Sequence, residues 1–299
     1  MAFARKITQP LSVVQYYGGK YQMAKLLADT LDYTYSSVYI EAFGGGARTL
    51  LNKRPHGQEI YYELQNGMYS LFKALSDADK AKELIERLYQ IDCNEDTFTD
   101  CRKKLDLLEE SATVDDKDLI DAAVNTYVVY TTGRDGMGKR YANRYKYPYS
   151  GFQKTIYKLQ EASERLSGVD VRHGDSIEFI KSVVDDKKVM MYLDPPYLQA
   201  KEVVNTRITE GKKLPKTQYN PGKHYKNGDA WTKSKHEDFL EIIKDAGSRI
   251  LVSNYTDPDN TYDSYLTRER GWKKLEYETT TTIGSSGSRH RVECLWYNY

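Results

Sequence analysis

The clearest candidate for chemistry is an acid, a proline pair and a tyrosine at the end of an apolar run, VMMYLDPPYL at 189–198. A short apolar run predicts a buried strand, and ligands bind at the carboxyl ends of strands in open α/β sheets. Pro195 fixes its own φ and pushes Asp194 into an extended conformation, so the turn is stiff. The Asp194 carboxylate and the Pro195 carbonyl are acceptors, and Tyr197 adds a flat face. This combination suits a planar base with an exocyclic amine; the alternative is an ordinary loop with two prolines.

A second candidate is the glycine-rich stretch EAFGGGA (41–47), between a predicted strand and a helix. Glycines there let the backbone approach a ligand closely. Glu63, at the end of the next predicted strand, has the spacing at which an acid meets a ribose hydroxyl pair. Thr49 stands where a dinucleotide fingerprint has its third glycine, and no P-loop lysine follows. The pattern predicts a ligand that contains a nucleoside, but it does not support a diphosphate group in that ligand. The alternative is a tight turn that binds no ligand.

Two further segments are rich in positive charge. The stretch 131–151 is Gly-rich, basic and tyrosine-rich, which predicts a loop or hairpin. Residues 199–233 form a long, lysine-rich connection with almost no apolar runs. Arginine and lysine side chains bind phosphates, and tyrosines can stack on bases, so both segments are candidates for nucleic-acid contact. A solvated basic surface is the alternative.

Strand and helix patterns alternate along the chain, which predicts an α/β fold with a mostly parallel sheet covered by helices. From Asp77 to about Tyr130 the spacing is helical throughout. The C-terminal stretch predicts two strands around a Gly/Ser turn, hence an antiparallel edge. We therefore predict a core of residues 1–76 and 152–299, and a mainly helical insertion with a hairpin at 77–151.

Composition excludes several classes of protein. The net charge of +1 excludes a uniformly basic nucleic-acid binder, although local basic surfaces remain compatible with it. The three cysteines have no CxxC spacing and predict free thiols in a reducing compartment. The five histidines show no ligand spacing, so no metal is expected. Neither a signal peptide nor a membrane span is evident, which predicts a soluble cytoplasmic protein.

Several motifs in order resemble the Dam-like, D12 class of DNA adenine-N6 methyltransferases, over most of the chain. The motifs that carry the resemblance are YYGGK (16–20), EAFGGGA, RHGDS (172–176), LDPPY (193–197) and ILVSN (250–254). Glu63 stands where that family usually has an aspartate. The insertion occupies the position of the family's target-recognition domain.

The resemblance implies a Rossmann-like methyltransferase sheet and S-adenosyl-L-methionine as cofactor. The catalytic residues that it implies are Asp194, Pro195, Pro196 and Tyr197. The cofactor-binding residues that it implies are Tyr16, Gly18, Lys20, Glu41, Phe43, Gly44, Gly46, Glu63, Asp175, Ser176 and Asp194. For Asp175, capping of the following helix is the alternative. The residues that we expect to contact DNA are Arg134, Lys139, Arg140, Asn143 and Arg144 of the predicted hairpin, and Lys212 and Lys213 of the long connection, which we expect to order over DNA.

The function implied is methyl transfer to the N6 of an adenine flipped out of a specific double-stranded DNA sequence. A cytosine-N4 or RNA amino-methyltransferase, a nucleotide-binding oxidoreductase and a catalytically inactive DNA-binding module are the alternatives. We expect a monomer or weak dimer, with no membrane or metal partner, in the cytoplasm of a bacterial cell or a phage-infected host. A cognate restriction enzyme, as in a restriction-modification system, is a candidate partner.

Overall fold

The computed structural model describes residues 9–134, 136–142, 148–202, 217–220, 231–282 and 288–299. Of the residues expected to contact DNA, Asn143, Arg144, Lys212 and Lys213 lie outside this described part. The strands are β1 Val38–Glu41, β2 Gln58–Glu63, β3 Asp170–His173, β4 Val189–Leu193, β5 Gln199–Glu202, β6 Thr217–Asn220, β7 Arg249–Tyr255, β8 Lys273–Thr282 and β9 Ser288–Tyr297. The α-helices are α1 Ala24–Thr30, α2 Arg48–Asn52, α3 Asn66–Leu75, α4 Ala78–Tyr89, α5 Glu95–Leu108, α6 Leu119–Thr132, α7 Pro148–Leu166, α8 Ile177–Val183, α9 Lys233–Ile243 and α10 Thr261–Tyr265.

The main sheet has seven strands in the order β3-β2-β1-β4-β7-β9-β8. Strands β1, β2 and β3 pair in parallel, whereas β9 pairs antiparallel with both β7 and β8. The sheet is therefore mixed, mostly parallel, with antiparallel strands at its C-terminal edge, as the sequence predicted. The order follows the Rossmann arrangement, with the last strand of the chain inserted between β7 and β8.

The chain divides into two compact units. The first consists of the described residues up to Ile180 together with Lys188–Met190; the second consists of Lys181–Lys187 and the described residues from Met191 onwards.

In the first unit, the core lies between the parallel strands and their helices. Tyr39 and Ile40 of β1 and Tyr61 of β2 are fully or almost fully buried, because both faces of a parallel sheet are covered. Helix α6 is buried almost all around, and it packs against α3 and α5. Helices α4 and α5 begin at side-chain caps. Asp77 accepts the N–H groups of Asp79 and Lys80, and Asn94 accepts that of Thr97.

In the second unit, the core includes residues of β7 and of the antiparallel strand β9. Ile250, Leu251 and Val252 of β7 are fully buried, and Trp296 of β9 is almost fully buried. Helix α9 begins at Thr232, whose hydroxyl accepts the N–H of Lys235. Strands β5 and β6 form a separate two-stranded antiparallel sheet within the segment that the sequence predicted as loop.

Three observations on the described part of the chain concern membranes, metals and thiols. No helix there is long and apolar enough to cross a membrane. No group of three or more histidine, cysteine or acidic side chains there could hold a metal ion. The cysteines Cys93, Cys101 and Cys294 are buried and free.

Candidate active site

The turn after β1 needs glycine at its first position. The N–H of Gly44 donates to the carbonyl of Tyr62 on β2 at 2.9 Å, which draws the two strands' ends together. A Cβ atom on Gly44 would overlap the ring of Tyr61, and the hydroxyl of that ring donates to the carbonyl of Gly45 at 2.7 Å. The turn is therefore fixed against β2 by backbone contacts that a side chain would exclude.

Glu63 ends β2 beside this turn and is 6 % exposed. Its carboxylate accepts the N–H of Gly45 at 2.6 Å and that of Gln65 at 2.8 Å. Burial raises the pKa of Glu63 to about 7; the backbone donors oppose this rise and the negative charge of Glu109 adds to it. The structure thus brings the predicted ribose acid and the glycine turn into direct contact.

Glu41, at the end of β1, is bonded within the fold. Its carboxylate accepts the hydroxyl of Tyr39 and the N–H of Leu50 in α2, both at 2.7 Å. These bonds join the strand to the helix that follows the glycine turn. Phe43, in the same turn, is half-buried. A role for either residue in cofactor binding stays a prediction.

The YYGGK segment lies against the glycine turn. A Cβ atom on Gly46 would come within 3.1 Å of Cβ of Tyr16, and one on Gly45 within 2.9 Å of the Tyr16 ring. Gly18 has φ +78°, and its carbonyl accepts Nζ of Lys20 at 2.9 Å. The two motifs, distant in sequence, thus form one surface in the first unit.

Arg48, the first residue of α2, was not predicted as a site residue. The residue is 8 % exposed, and Nη2 of its guanidinium donates to the carbonyl of Val14 at 2.7 Å. The Nε and Nη1 atoms are buried and have no hydrogen-bond partner. Cβ atoms on Gly19 or Gly46 would each lie 3.6 Å from Nε, so the guanidinium borders both glycine motifs.

Asp175 and Ser176 follow β3. The exposed Asp175 carboxylate accepts the N–H of Ile177 at 3.0 Å, which is the contact expected of a residue at the start of helix α8. Ser176 is buried, and its carbonyl accepts the N–H of Ile180 at 2.8 Å. The capping alternative is therefore present in the structure, and a contact of Asp175 with the cofactor adenine stays a prediction.

In the second unit, Asp194 follows β4 and is held by β7. The hydroxyl of Ser253 donates to Oδ1 of Asp194 at 2.7 Å. The hydroxyl of Tyr192 lies 3.1 Å from the same Ser253 oxygen and is left to donate to it, since Ser253 uses its only proton on the carboxylate. This chain of hydrogen bonds fixes the orientation of the carboxylate.

Asn254, the neighbour of Ser253, holds the backbone after the proline pair. Its side-chain oxygen accepts the N–H of Leu198 at 3.2 Å, and its amide nitrogen donates to the hydroxyl of Tyr262 at 2.9 Å. That hydroxyl lies 2.9 Å from Nδ1 of the buried His236. Burial lowers the pKa of His236 to about 3, so the imidazole is neutral and Nδ1 can accept. The turn that carries Asp194 is therefore attached to a buried polar network.

Tyr197 completes the turn. Its hydroxyl donates to the carboxylate of Glu293 on β9, and its ring packs edge-on against Tyr255 at a centroid distance of 4.5 Å. Burial, with the negative charges of Asp194 and Glu293, raises the pKa of Tyr197 well above its ordinary value. The phenol is thus neutral, and its ring orientation is fixed at both edge and hydroxyl. Pro195 is buried and Pro196 is half-buried.

Of the basic residues expected to contact DNA, three are described. Arg134, Lys139 and Arg140 are all exposed, in a turn where the N–H of Arg134 donates to the carbonyl of Arg140 at 2.9 Å. A bridge between Gly133 and Tyr141 closes the turn as a short hairpin. The tip of this hairpin contacts the YYGGK segment, since the carbonyl of Gly136 accepts the N–H of Tyr17 at 3.0 Å.

Comparison with protein families gives one match, the D12 class N6 adenine-specific DNA methyltransferases, over residues 16–281. The chain belongs to this family. The resemblance inferred from the motifs is thereby confirmed. It follows that the protein is an enzyme that transfers a methyl group to adenine in DNA. Membership in this methyltransferase family also implies, in general, chemistry that depends on S-adenosylmethionine.

No curated protein matches this D12-class methyltransferase. Among solved structures, it is similar to precorrin 8w decarboxylase of Methanobacterium thermoautotrophicum, with 10% identity over 93% of this chain and 89% of the other, at a TM-score of 0.32. It is also similar to precorrin-6y C5,15-methyltransferase of Geobacter metallireducens GS-15, with 9% identity over 93% and 86% of the two chains, at a TM-score of 0.34.

The first unit of this D12-class enzyme fits S-adenosylmethionine in two respects. The turn after β1 has no side chain at Gly44, Gly45 or Gly46, where Cβ atoms would crowd Tyr61 or Tyr16, and the Glu63 carboxylate accepts the N–H of Gly45 in this turn. The guanidinium of Arg48 has two buried donors without a partner, Nε and Nη1, and its Nε lies beside Gly19 and Gly46. A nucleoside that carries hydroxyls at one end and a carboxylate at the other matches these groups.

Sequence reasoning missed Arg48, Glu293 and the hydrogen-bonding roles of Ser253 and Asn254. A signal existed for Ser253 and Asn254, because two polar residues end an otherwise apolar strand. None existed for Arg48 or Glu293, whose partners lie tens of residues away in sequence.

Proposed function

We propose that the enzyme transfers the methyl group of S-adenosylmethionine to the exocyclic N6 of an adenine that is flipped out of a specific double-stranded DNA sequence. The observation that carries this proposal is the DPPY turn, in which Asp194 is oriented by Ser253 and the backbone is held by Asn254. Such a turn presents hydrogen-bond acceptors in a fixed geometry to an amine that is itself a poor nucleophile.

The first unit would hold the cofactor. Glu63 would accept the ribose hydroxyls, and the backbone of Gly44 and Gly46 would allow close approach of the nucleoside. Tyr16, Gly18 and Lys20 would cover its amino-acid end. When bound, S-adenosylmethionine supplies an electrophilic methyl group on a sulfonium.

The second unit would hold the target base. Oδ2 or Oδ1 of Asp194 and the carbonyl of Pro195 would accept the two N6 hydrogens, which favours a pyramidal and more nucleophilic nitrogen. Pro196 keeps the turn rigid. Tyr197 would stack on the adenine, which returns roughly 1–3 kcal/mol of the few kcal/mol that flipping costs.

We also propose that residues 77–151 recognise the DNA sequence and that 1–76 and 152–299 perform catalysis. Arg134, Lys139 and Arg140 support this proposal because they are exposed at one hairpin. Contacts by Asn143, Arg144, Lys212 and Lys213, the restriction enzyme as a partner and the monomeric or weakly dimeric state stay predictions from the sequence.

The test is to incubate duplex DNA with S-adenosylmethionine that carries a labelled methyl group, digest the DNA, and identify the labelled nucleoside by mass spectrometry. We expect label in N6-methyldeoxyadenosine only, and none with Asp194→Ala. Label in N4-methyldeoxycytidine, or transfer to RNA in preference to DNA, would contradict the proposal. Single-molecule sequencing of the product then gives the sequence context. A fluorescent adenine analogue at that position should brighten when the base is flipped.

A further inference from the structure

The buried guanidinium of Arg48 lacks partners that its burial demands. A guanidinium has five donors, yet among the described residues only Nη2 of Arg48 meets an acceptor, the carbonyl of Val14. No carboxylate among those residues lies within ion-pair distance of it, and the Tyr21 ring, 5.3 Å away, is an aromatic neighbour rather than a counter-charge. Buried charged donors without partners are costly and uncommon, so an acceptor that binds from outside the chain would remove this cost.

The position of the unpartnered atoms indicates where that acceptor binds. Nε lies 3.6 Å from the points where Cβ atoms of Gly19 and Gly46 would be. Gly19 belongs to the YYGGK motif and Gly46 to the turn after β1, so the guanidinium borders the surface formed by both. This is the surface to which the cofactor is assigned above.

The chemistry of the unpartnered donors indicates what the acceptor is. A carboxylate makes a bidentate contact with Nε and Nη2 or with Nη1 and Nη2, because only these pairs have parallel N–H bonds. Nη2 donates one hydrogen to the carbonyl of Val14 and keeps a second, which can complete either contact beside an unpartnered donor. Burial lowers the pKa of Arg48 to about 10, so the group is still cationic at neutral pH. The acids of the same surface have other partners: Glu41 accepts from Tyr39 and Leu50, and Glu63 accepts from Gly45 and Gln65.

We propose that Arg48 binds the carboxylate of the methionyl part of S-adenosylmethionine and thereby makes the enzyme select cofactors that carry this carboxylate. The inference rests on the proposed methyl donor. The rival for this role is Lys20, whose Nζ already donates to the carbonyl of Gly18 at 2.9 Å. A lysine is also a point donor that cannot make the bidentate contact.

The experiment compares two ligands by calorimetry: S-adenosylmethionine, and its decarboxylated analogue, which keeps the adenosine, the sulfonium and the amino group. Wild-type enzyme should bind the intact cofactor more tightly. Arg48→Met should weaken binding of the intact cofactor on the order of ten- to a hundredfold, the range expected for a charged hydrogen bond. It should leave the analogue within a few-fold. Arg48→Lys should give an intermediate loss of affinity for the intact cofactor, because lysine keeps the charge but lacks the paired N–H groups of the guanidinium.

Controls separate this role from a structural one. Arg165→Lys alters a half-buried arginine, which pairs with Glu59 near the start of β2, and should leave the ratio of the two affinities unchanged. Lys20→Met tests the rival, and a loss confined to the intact cofactor in this variant alone would overturn the proposal. Because each ratio is measured within one variant, partial unfolding lowers both affinities alike.

The wild type and Arg48→Lys together test the proposal even if the methionine variant does not fold. Equal affinity of the wild type for the two ligands, or an equal loss of both in Arg48→Lys, would overturn the role of Arg48 and leave the proposed cofactor intact. A wild-type enzyme that binds neither ligand would overturn the proposed cofactor and this inference with it.

Discussion

At the residue scale, Ser253 decides how the carboxylate of Asp194 is presented. The serine hydroxyl donates to Oδ1 of Asp194 and is the partner of the buried Tyr192 hydroxyl. We expect Ser253→Ala to lower kcat roughly ten- to a hundredfold, since a carboxylate free to rotate is a poorly positioned acceptor. The free energy of unfolding should fall by about 1–2 kcal/mol, because the Tyr192 hydroxyl loses a hydrogen bond.

Tyr192→Phe is the matched control for this variant. It removes the outer hydroxyl of the chain and leaves the bond from Ser253 to Asp194 in place. In single-turnover assays, its rate constant for methyl transfer should be close to that of the wild type. A Tyr192→Phe loss as large as that of Ser253→Ala would contradict an effect that acts through the orientation of Asp194.

Glu63 gives a prediction for the dependence of stability on pH. Its pKa is about 7 in the folded protein against an ordinary value of 4.5, so between these values the folded state holds a proton that the unfolded chain has released. The free energy of unfolding therefore falls as the pH rises from about 4.5 to about 7, and is constant above that range. The total fall is on the order of 3 kcal/mol, from the 1.36 kcal/mol that corresponds to one pKa unit.

Glu63→Gln removes this titration. Urea denaturation of both proteins at several pH values measures it, and the variant should gain stability relative to the wild type as the pH rises. A difference between the two proteins that is the same at pH 5 and pH 8 would show that the Glu63 carboxyl does not titrate in this range.

At the element scale, the turn between β1 and α2 has no room for a side chain at Gly44. We expect Gly44→Ala to lower the free energy of unfolding by about 1–3 kcal/mol, the usual cost of forcing a methyl group into a packed site, because its Cβ would overlap the Tyr61 ring. Cofactor affinity should fall as well, since that ring is bonded to Gly45.

Gly168→Ala is a suitable control. A Cβ atom there meets nothing within 4 Å, and only the left-handed backbone at φ +82° opposes it, at about 1 kcal/mol. Thermal unfolding and calorimetry with the cofactor distinguish the two variants. Unchanged stability and unchanged cofactor affinity in Gly44→Ala would show that the Tyr61 ring moves away at no cost.

The elements that could be predicted from the sequence are those that show a pattern of apolar side chains. The apolar run that ends at Asp194 predicted the buried strand β4, and all five residues of β4 are buried. Strands β5 and β6 were predicted as loop, because their pairing is made by backbone groups and the segment has almost no apolar pattern. Helix α7 begins at Pro148, within the stretch 131–151 that was predicted as loop or hairpin; proline is favoured in the first turn of a helix.

The candidate site, too, could be predicted only in part from the sequence. Motifs that are continuous in sequence, such as the glycine turn and DPPY, could be found without a structure. The hydrogen bonds that orient them could not, since Ser253 lies 59 residues from Asp194 and Asn254 lies 56 residues from Leu198. Whether a long polar side chain such as Arg48 is buried depends on the packing around it, which the local sequence does not specify.

At the scale of the whole molecule, the net charge of +1 makes DNA binding depend on local groups. Lys139 and Arg140 are exposed at the hairpin, and each should bind a phosphate or a base. Replacing a phosphate-binding residue of this pair with glutamine should flatten the plot of log affinity against log salt concentration by about one unit of slope. If one of them binds a base instead, discrimination at one position of the duplex should fall.

Titration of matched and mismatched duplexes at several salt concentrations measures both effects. Lys25→Gln is the control, because Lys25 is an exposed lysine on helix α1, outside residues 77–151, and pairs with Asp29. An equal change of slope in this control would show that the hairpin has no special part in binding DNA.

The hydrogen bond from Tyr17 to Gly136 joins the segment assigned to the cofactor with the hairpin assigned to DNA. If each ligand favours the same arrangement of this hydrogen bond, each must raise the affinity for the other by the same factor, because linkage between two binding equilibria is reciprocal. Gly136 has φ +68°, and a Cβ atom there would lie 3.1 Å from the backbone of Tyr16 and Tyr17. Gly136→Ala should therefore abolish the cooperativity between the two ligands while each still binds alone. In an enzyme with this substitution, bound cofactor would no longer raise the affinity for DNA.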